Sequence, residues 1–470
     1  MGLMELLEIV QKKWREDESG LQDRANEITQ AIKNHIESAS DTKSSQDFTE
    51  KAYQQYTSIF DPKNGGFGRA PKFPTAHNLL FLMEYYSMYQ QEHALHMTET
   101  TLVQMYRGGI FDHIGYGFSR YSTDDIWLAP HFEKMLYDNA LLLMAYSRAY
   151  AITEKPLYKD IALKIIEYVI RELQHPDGGF YSAQDADSDR VEGKFYLLTP
   201  REIIQCIGEK DGEKFNTAFD ITEKGNFEGK SIPNLLKTPQ EDWTSWEKHL
   251  PALRTYRRER YHLHKDDKIL SAWNGLMIAA MAQAHRLLKE SPAGSIISHA
   301  KKAASYIEEN LIAEGEIFTS FREGRRSTQG FLDDYAFMGL GMLEMYLATL
   351  DGNYLRKATE ICQKAVELFF DKEQVGFNLS GIKNEQMIFN LKEVYDGAMP
   401  SGNSVMAYNM VMLSKLGKWE DEAAVLEKHL EFMNSSTENY PAGHSFFGLA
   451  MLESRKPVYQ YCTEDGCIAI

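Results

Sequence analysis

Two kinds of helix alternate along this chain in a fixed order, and that alternation limits the folds open to it. One kind is amphipathic. In 300–311, Ala300, Ala303, Ala304, Ile307 and Leu311 share a face, while Lys301, Lys302, Glu308 and Glu309 take the other. The segment 156–172 behaves likewise, with Ile161, Ile165, Tyr168 and Val169 on its apolar stripe. Such a stripe covers a neighbour and leaves the opposite face to water. The other kind, as in 271–288 and 335–350, is apolar nearly all round and has to be buried on both sides. The pattern predicts outer helices at 47–60, 92–107, 156–172, 297–312, 354–371 and 420–434. It predicts inner helices at 75–89, 131–151, 271–289, 331–350, 402–416 and 442–453.

The connections are as regular as the helices. Each outer helix leads to an inner one through a long loop that opens on a glycine or turn cluster. These clusters are Gly65-Gly66-Phe67-Gly68, Gly108-Gly109-Ile110-Phe111, Gly178-Gly179-Phe180-Tyr181, Gly315-Glu316-Ile317-Phe318, Gly376-Phe377 and Tyr440-Pro441. Inner helices return through short turns such as Thr153–Lys155, Asp351–Gly352 and Gly417–Lys418. A repeat with this alternation is met by an all-α (α/α)6 barrel, with small β-hairpin insertions in the loops. A helical solenoid also alternates, but it does not need doubly buried helices throughout. In the barrel all long loops converge on one rim, at the N-termini of the inner helices. Free N–H groups and positive partial charge there favour carboxylates and anionic ligand groups.

Residues 1–46 read as a charged helix (3–37) and a polar linker (38–46), 47–454 as the barrel, and 455–470 as a tail carrying Cys462 and Cys467. The longest connection, 174–270, is expected to hold a β-hairpin (Gly179–Ser182 with Lys194–Leu198), a helix from Pro200 and a polar helical excursion at 241–263. Trp243 and Trp246 read as packing residues of that excursion. A formal charge of −17, with only short basic clusters at Arg254–Arg260 and Arg322–Arg326, argues against a nucleic-acid partner. No apolar run approaches the roughly 20 residues of a membrane span. Residues Met1–Arg15 lack the apolar core of a signal peptide, so a cytoplasmic location is expected. Cys206 and Cys362 lie in helical patterns as buried thiols. Cys462 and Cys467 cannot close a zinc site by themselves; they read as free thiols, with a reversible disulfide the alternative. No metal and no cofactor is expected.

The loop 112–139 is the densest in chemistry. His131 and Glu133 are expected in the first turn of an inner helix, where an imidazole beside a carboxylate can serve as acid or base; for Glu133, helix capping is an equal reading. His113, Arg120, Tyr121 and Trp127 from the same loop would bind substrate. Asp185 and Asp187 offer paired carboxylates or a hydrogen-bonded turn. Trp273 and Asn274, Asp333 with Asp334 and Tyr335, and Ser401 with Asn403 stand at inner-helix starts, where such residues also cap. His444 opens the last helix as a second imidazole. Arg69, Lys72 and His77 flank the first inner helix and would hold an anion.

The motifs of these loops resemble a known family. They are Gly65 to Pro74, Pro130-His131-Phe132-Glu133-Lys134-Met135-Leu136-Tyr137-Asp138, Asp185-Ala186-Asp187-Ser188, Ala272-Trp273-Asn274-Gly275, Leu332-Asp333-Asp334-Tyr335-Ala336 and Pro400-Ser401-Gly402-Asn403-Ser404. Together they are similar to the thioredoxin-domain-containing family related to spermatogenesis-associated protein 20, in its bacterial branch. The resemblance implies a barrel similar to N-acylglucosamine 2-epimerases and six-hairpin glycosidases. It also implies an N-terminal thioredoxin-like domain, which is expected to be missing here, so a separate thioredoxin-like partner is an expectation. On this reading the chain is a carbohydrate-active or carbohydrate-binding barrel with epimerase- or isomerase-like chemistry. His131, Glu133, Asp187, Asp333, Asp334 and His444 are then the catalytic candidates. A glycoside hydrolase and a noncatalytic binding paralogue are the alternatives.

Overall fold

The computed structural model describes residues 2–37, 47–238, 246–288, 295–385, 387–457, 460–463 and 466–469. The segment expected as one charged helix is two, α1 (Leu3–Glu16) and α2 (Glu18–Glu37). They part at Asp17, whose carboxylate accepts the backbone N–H of Gly20 and so caps α2 rather than continuing α1. No residue of α1 is buried. The polar linker at 38–46 and Trp243 lie outside the described residues.

Twelve helices then form the barrel. In chain order, outer α3 (Phe48–Ile59) leads to inner α4 (Ala76–Tyr89), and α5 (Glu92–Arg107) leads to α6 (Leu136–Thr153). Outer α7 (Pro156–Tyr168), extended by a π turn at Val169–Leu173, leads through α8 (Pro200–Ile207), α9 (Glu209–Ala218) and α10 (Leu250–Arg260) to inner α11 (Ser271–Leu287). The remaining pairs are α12 (Ser295–Leu311) with α13 (Leu332–Thr349), α14 (Gly352–Phe369) with α15 (Gly402–Lys415), and α16 (Ala423–Thr437) with α17 (Ser445–Arg455). The inner helices pack in the order α4, α6, α11, α13, α15, α17, and α17 packs back on α4, which closes the ring. The expected (α/α)6 barrel is the fold. Helices α11 and α13 approach most closely through Gly275 and Gly341: a Cβ on Gly275 would stand 2.6 Å from the backbone of Phe337, and one on Gly341 would stand 2.8 Å from the Gly275 carbonyl.

A repeated device fixes the long loops to the inner ring. Asn139 accepts the N–H of Phe118 at 2.8 Å and donates to its carbonyl at 3.0 Å. Asn274 does the same to Phe180 at 2.7 and 2.9 Å, and Asn403 to Phe377 at 2.9 and 2.9 Å. Each phenylalanine closes a β-bridge in its loop, with Phe111, Gln174 and Phe370 respectively. A side-chain amide thus satisfies both backbone groups of a buried residue that no ladder covers.

The long connection departs from expectation. Gly179–Ser182 does not pair with Lys194–Leu198. Ala183–Gln184 instead joins Lys134–Met135 and Lys265–Asp266 in a three-stranded sheet. A separate hairpin pairs Asp187–Ser188 with Val191–Glu192. Its turn residues Asp189 and Arg190 have φ of 52° and 63°, the two positive values that a tight primed turn needs. The helix from Pro200 is present as α8, closed at its start by reciprocal bonds between Thr199 and Glu202. Trp246 packs on Phe215 and Phe219. At the tail, Gln460–Thr463 pairs antiparallel with Gly466–Ala469, placing the backbones of Cys462 and Cys467 opposite each other.

Candidate active site at the barrel rim

Inner helix α6 starts at Leu136, so His131 and Glu133 do not occupy its first turn. They lie in the extended segment ahead of it. Pro130–His131 pairs with Tyr121–Ser122, and Lys134–Met135 pairs with Ala183–Gln184. Ladder hydrogen bonds to distant strands hold these residues out of the helix. Alternation along a strand sends neighbours to opposite sides. Glu133 accordingly faces Arg120, whose Nη1 is 3.5 Å from Glu133 Oε2, while Lys134 is buried on the other side against Asp112.

His131 is the centre of this cluster. Its Nδ1 is 2.6 Å from Glu192 Oε1, and its Nε2 is 3.5 Å from Glu133 Oε2. A carboxylate can only accept, so in the close contact Nδ1–H donates to Glu192, while Nε2 faces the Glu133 carboxylate. The Tyr121 ring packs against the imidazole at 5.3 Å and stacks on Phe73 at 4.8 Å. The side chain of His131 is 26% exposed, so it is held but still reachable. The Tyr137 hydroxyl hydrogen-bonds with Arg120, and the Tyr137 ring meets Trp273 of α11 edge-on at 4.9 Å. Burial raises the Asp138 carboxyl well above the ordinary carboxylate range; Arg120 opposes the shift and Glu133 adds to it. The Asp138 Oδ2 atom has no hydrogen-bond partner among the described residues.

Further round the rim, burial lifts Asp333 to about 6 and Asp334 to about 7. Asp333 receives the N–H of Gly402, and a Cβ on Gly402 would fall 2.5 Å from its Oδ1, so this approach requires glycine. Asp334 accepts from Phe331 N at 2.9 Å and Ala272 N at 3.1 Å, joining the starts of α13 and α11. Asp396 likewise ties α15 to α17 through Ser401 N at 2.9 Å and Phe446 N at 2.8 Å, and burial raises it to about 6. His444, buried just ahead of α17, donates Nδ1–H to the Val394 carbonyl at 2.7 Å, and burial lowers its pKa.

The structure therefore gathers Arg120, Tyr121, His131, Glu133 and Trp273 into one neighbourhood and adds Glu192, Tyr137 and Asp138 to it. Asp187 is exposed on the hairpin that carries Glu192, and its N–H is held by Asp185 in a local turn at 3.1 Å. Several expected ligand-facing residues are structural instead. Trp127 is fully buried, with Nε1 donating to the Asn64 carbonyl at 2.9 Å. Lys72 is buried and spends its ammonium on Asp61, the Gly65 carbonyl and the Asp125 carbonyl. His113 is buried among Tyr106, Phe111 and Phe219. Tyr335 is buried, with its hydroxyl accepting Ile317 N. Asn274 and Asn403 are the loop clamps, and Ser401 caps α15 through Ser404 N. Arg69 is exposed in the first loop.

The part played by Glu192 was not readable from its place beside the aspartates, because the pairing of 187–188 with 191–192 decides where it points. A tight turn centred on Asp189-Arg190 is the signal that could have found it. Two cavities lie away from this cluster. One, of about 280 Å³, sits between the three-stranded sheet, the end of α7 and α10. The other, of about 660 Å³, lies at the opposite end of the barrel, among Arg148, Arg286, Glu344, Tyr408 and Glu453.

No protein-family model matches the chain. Among solved structures it is similar to cellobiose 2-epimerase from Bacillus thermoamylovorans (TM-score 0.54, 11% identity, 86% of this chain and 99% of that one). It is also similar to a D-mannose isomerase (0.55, 11%, 89% and 98%). A family 105 glycoside hydrolase of C. acetobutylicum is another such neighbour (0.52, 8%, 87% and 99%). These likenesses establish the barrel fold. By sequence the chain is 32% identical over 472 residues to spermatogenesis-associated protein 20 of Homo sapiens, covering 88% of this chain and 59% of that protein. It is 30% identical over 488 residues to the Rattus norvegicus protein of the same name, covering 91% and 61%. The chain spans about three fifths of the length of these relatives, and over most of its own length it is a homologue of the spermatogenesis-associated protein 20 proteins.

Proposed function

We propose that the chain is a carbohydrate-active barrel that moves a proton at a sugar carbon, as an epimerase or aldose–ketose isomerase does. The observation that carries this reading is the His131–Glu192 pair. The carboxylate fixes the imidazole tautomer and presents Nε2 as a general base at a half-open rim. In the proposed step His131 Nε2 takes the proton from the carbon next to the sugar carbonyl. The C–H electron pair forms a carbon–carbon double bond, and the carbonyl π pair moves onto oxygen as an enediolate. Arg120 and the Tyr137 hydroxyl would stabilise that oxygen. Return of the proton to either face, or to the adjacent carbon, gives the epimer or the isomer. Trp273 and Tyr121 would offer apolar faces to the ring. The likeness to a cellobiose 2-epimerase and a D-mannose isomerase adds support from fold alone.

A second reading is favoured by a different observation. Asp138, whose carboxyl burial pushes well above the ordinary range, and Glu133 both interact with the same guanidinium, Arg120. An acid and a base carboxyl are what glycoside hydrolysis requires. One experiment separates the two. The protein is incubated in heavy water with glucose, mannose, N-acetylglucosamine, cellobiose and a mannobiose, and the sugars are followed by NMR. Deuterium entering at C1 or C2, lost in His131→Ala, supports proton transfer. New reducing ends without carbon exchange would replace it with hydrolysis. Neither change would leave a binding protein.

A further inference from the structure

The cavity of about 280 Å³ beside α10 is built from charges brought together across the long connection. Lys134, Arg171, Arg254, Arg257, Arg258 and Lys265 line it. Three carboxylates answer these six cations: Asp112 binds Arg257 and Lys134, Glu172 binds Arg171 and Arg258, and Glu167 binds Arg171 and Arg254. Three positive charges are left over in a chain whose net charge is −17. Solvated surface lysines would need no explanation, but these groups are not all on the surface. The side chains of Arg257 and Lys134 are 2% exposed, and that of Arg254 is 17% exposed.

The pairing inside the cluster is also incomplete. Asp112 accepts both Arg257 Nη1 at 2.8 Å and Lys134 Nζ at 2.9 Å. Burial alone would raise this carboxyl, but the two cations hold it well below the ordinary range. Burial depresses Lys134 to about 8 against the pull of Asp112. Two buried polar atoms of lining residues, Arg257 Nε and Tyr196 Oη, have no hydrogen-bond partner among the described residues. Lys265 has no ion pair among the described residues, and its ammonium lies 5.1 Å from the Tyr181 ring centre. Unpaired buried donors and surplus charge are costly unless something supplies the counter-charge. The carboxylates Asp112 and Glu172 are themselves part of the lining, and Tyr168, Phe195, Tyr196 and Tyr261 form its aromatic wall.

We propose that this cavity is a binding site for a small phosphomonoester. The arginines and lysines would hold the phosphate dianion, since guanidinium forks match its oxygens, and the aromatic wall would cover a compact organic group. The cavity is near the lower end of the usual size for small-ligand sites, which suits a single ring with one phosphate. It lies on the far side of strand Lys134–Met135 from the Glu133 cluster, so the proposal does not rest on the rim chemistry.

The test is isothermal titration calorimetry at fixed ionic strength, with inorganic phosphate, glucose 6-phosphate, glucose and chloride as titrants. Saturable one-to-one binding of phosphate, tighter for glucose 6-phosphate and absent for glucose and chloride, is expected. The double variant Lys265→Ala/Arg258→Ala should weaken it at least 10-fold, while Lys265→Arg retains it. Arg258 is exposed and Lys265 half-buried, and circular dichroism checks that both variants fold. No saturable phosphate binding, or binding that the double variant leaves unchanged, would overturn the proposal.

Discussion

Two aspartates of the long loops and helix starts, Asp112 and Asp334, show how one residue type takes opposite electrostatic states with its surroundings. Asp112 has two cations in contact and stays ionised, whereas Asp334 has only backbone N–H donors and burial lifts it to about 7. The folded protein thus holds a proton on Asp334 where the unfolded chain, with an ordinary value of 3.8, has released it. By linkage the contribution of this group is greatest below the unfolded value and is lost as pH rises through the folded one. At about 1.4 kcal/mol per pKa unit, the loss between pH 5 and pH 8 is on the order of 3 kcal/mol. Asp334→Asn keeps the shape without the titration. Urea unfolding at pH 5 and pH 8 should therefore show a smaller decline for the variant than for the parent. Equal declines would mean that Asp334 is already ionised in the native barrel.

At the scale of elements, the helices were legible because their apolar periods are long and unbroken, as in 271–288. Helix α6 was legible in type but not in its start. The residues Pro130 to Met135 could continue its pattern, but strands from 121–122 and 183–184 pair with them and win. Such pairing is non-local and leaves no mark in a local window. The same reason hid the role of asparagine in the loop motifs. Asn274 beside Trp273 reads as ligand-binding chemistry, yet its side chain hydrogen-bonds to the backbone, twice to Phe180 and once to Leu270. Asn274→Ala should strand the buried N–H and carbonyl of Phe180, each worth about 1–3 kcal/mol. A fall in stability of roughly 2–5 kcal/mol is expected for it, against little change for the exposed Asp187→Ala. Thermal melts of the two variants compare them, and an Asn274→Ala midpoint equal to the parent's would dismiss the clamp.

For the whole molecule the decisive contact joins the two ends of the barrel. α17 packs between α15 and α4, and it also touches α3. Arg455 reaches Asp47 at 2.6 Å, and the Ala442 carbonyl, just ahead of α17, accepts the Tyr56 hydroxyl. Phe446, Phe447, Leu449 and Leu452 are all buried there. At roughly 1.5–3 kcal/mol each, their burial amounts to about 6–12 kcal/mol, comparable to the about 5–15 kcal/mol by which folded domains exceed their unfolded states. Deleting 445–457 would also strip Asp396 of the Phe446 N–H and open α4 and α15 to water. Residues 2–31, in contrast, bury nothing. Removing 2–37 should leave the thermal midpoint within a few degrees of the parent, whereas the deletion of 445–457 should abolish cooperative unfolding and expose apolar surface to a hydrophobic dye. A cooperative melt in the second deletion would show that five inner helices hold together without closing the ring, and the barrel would then be better described as an open arc of hairpins.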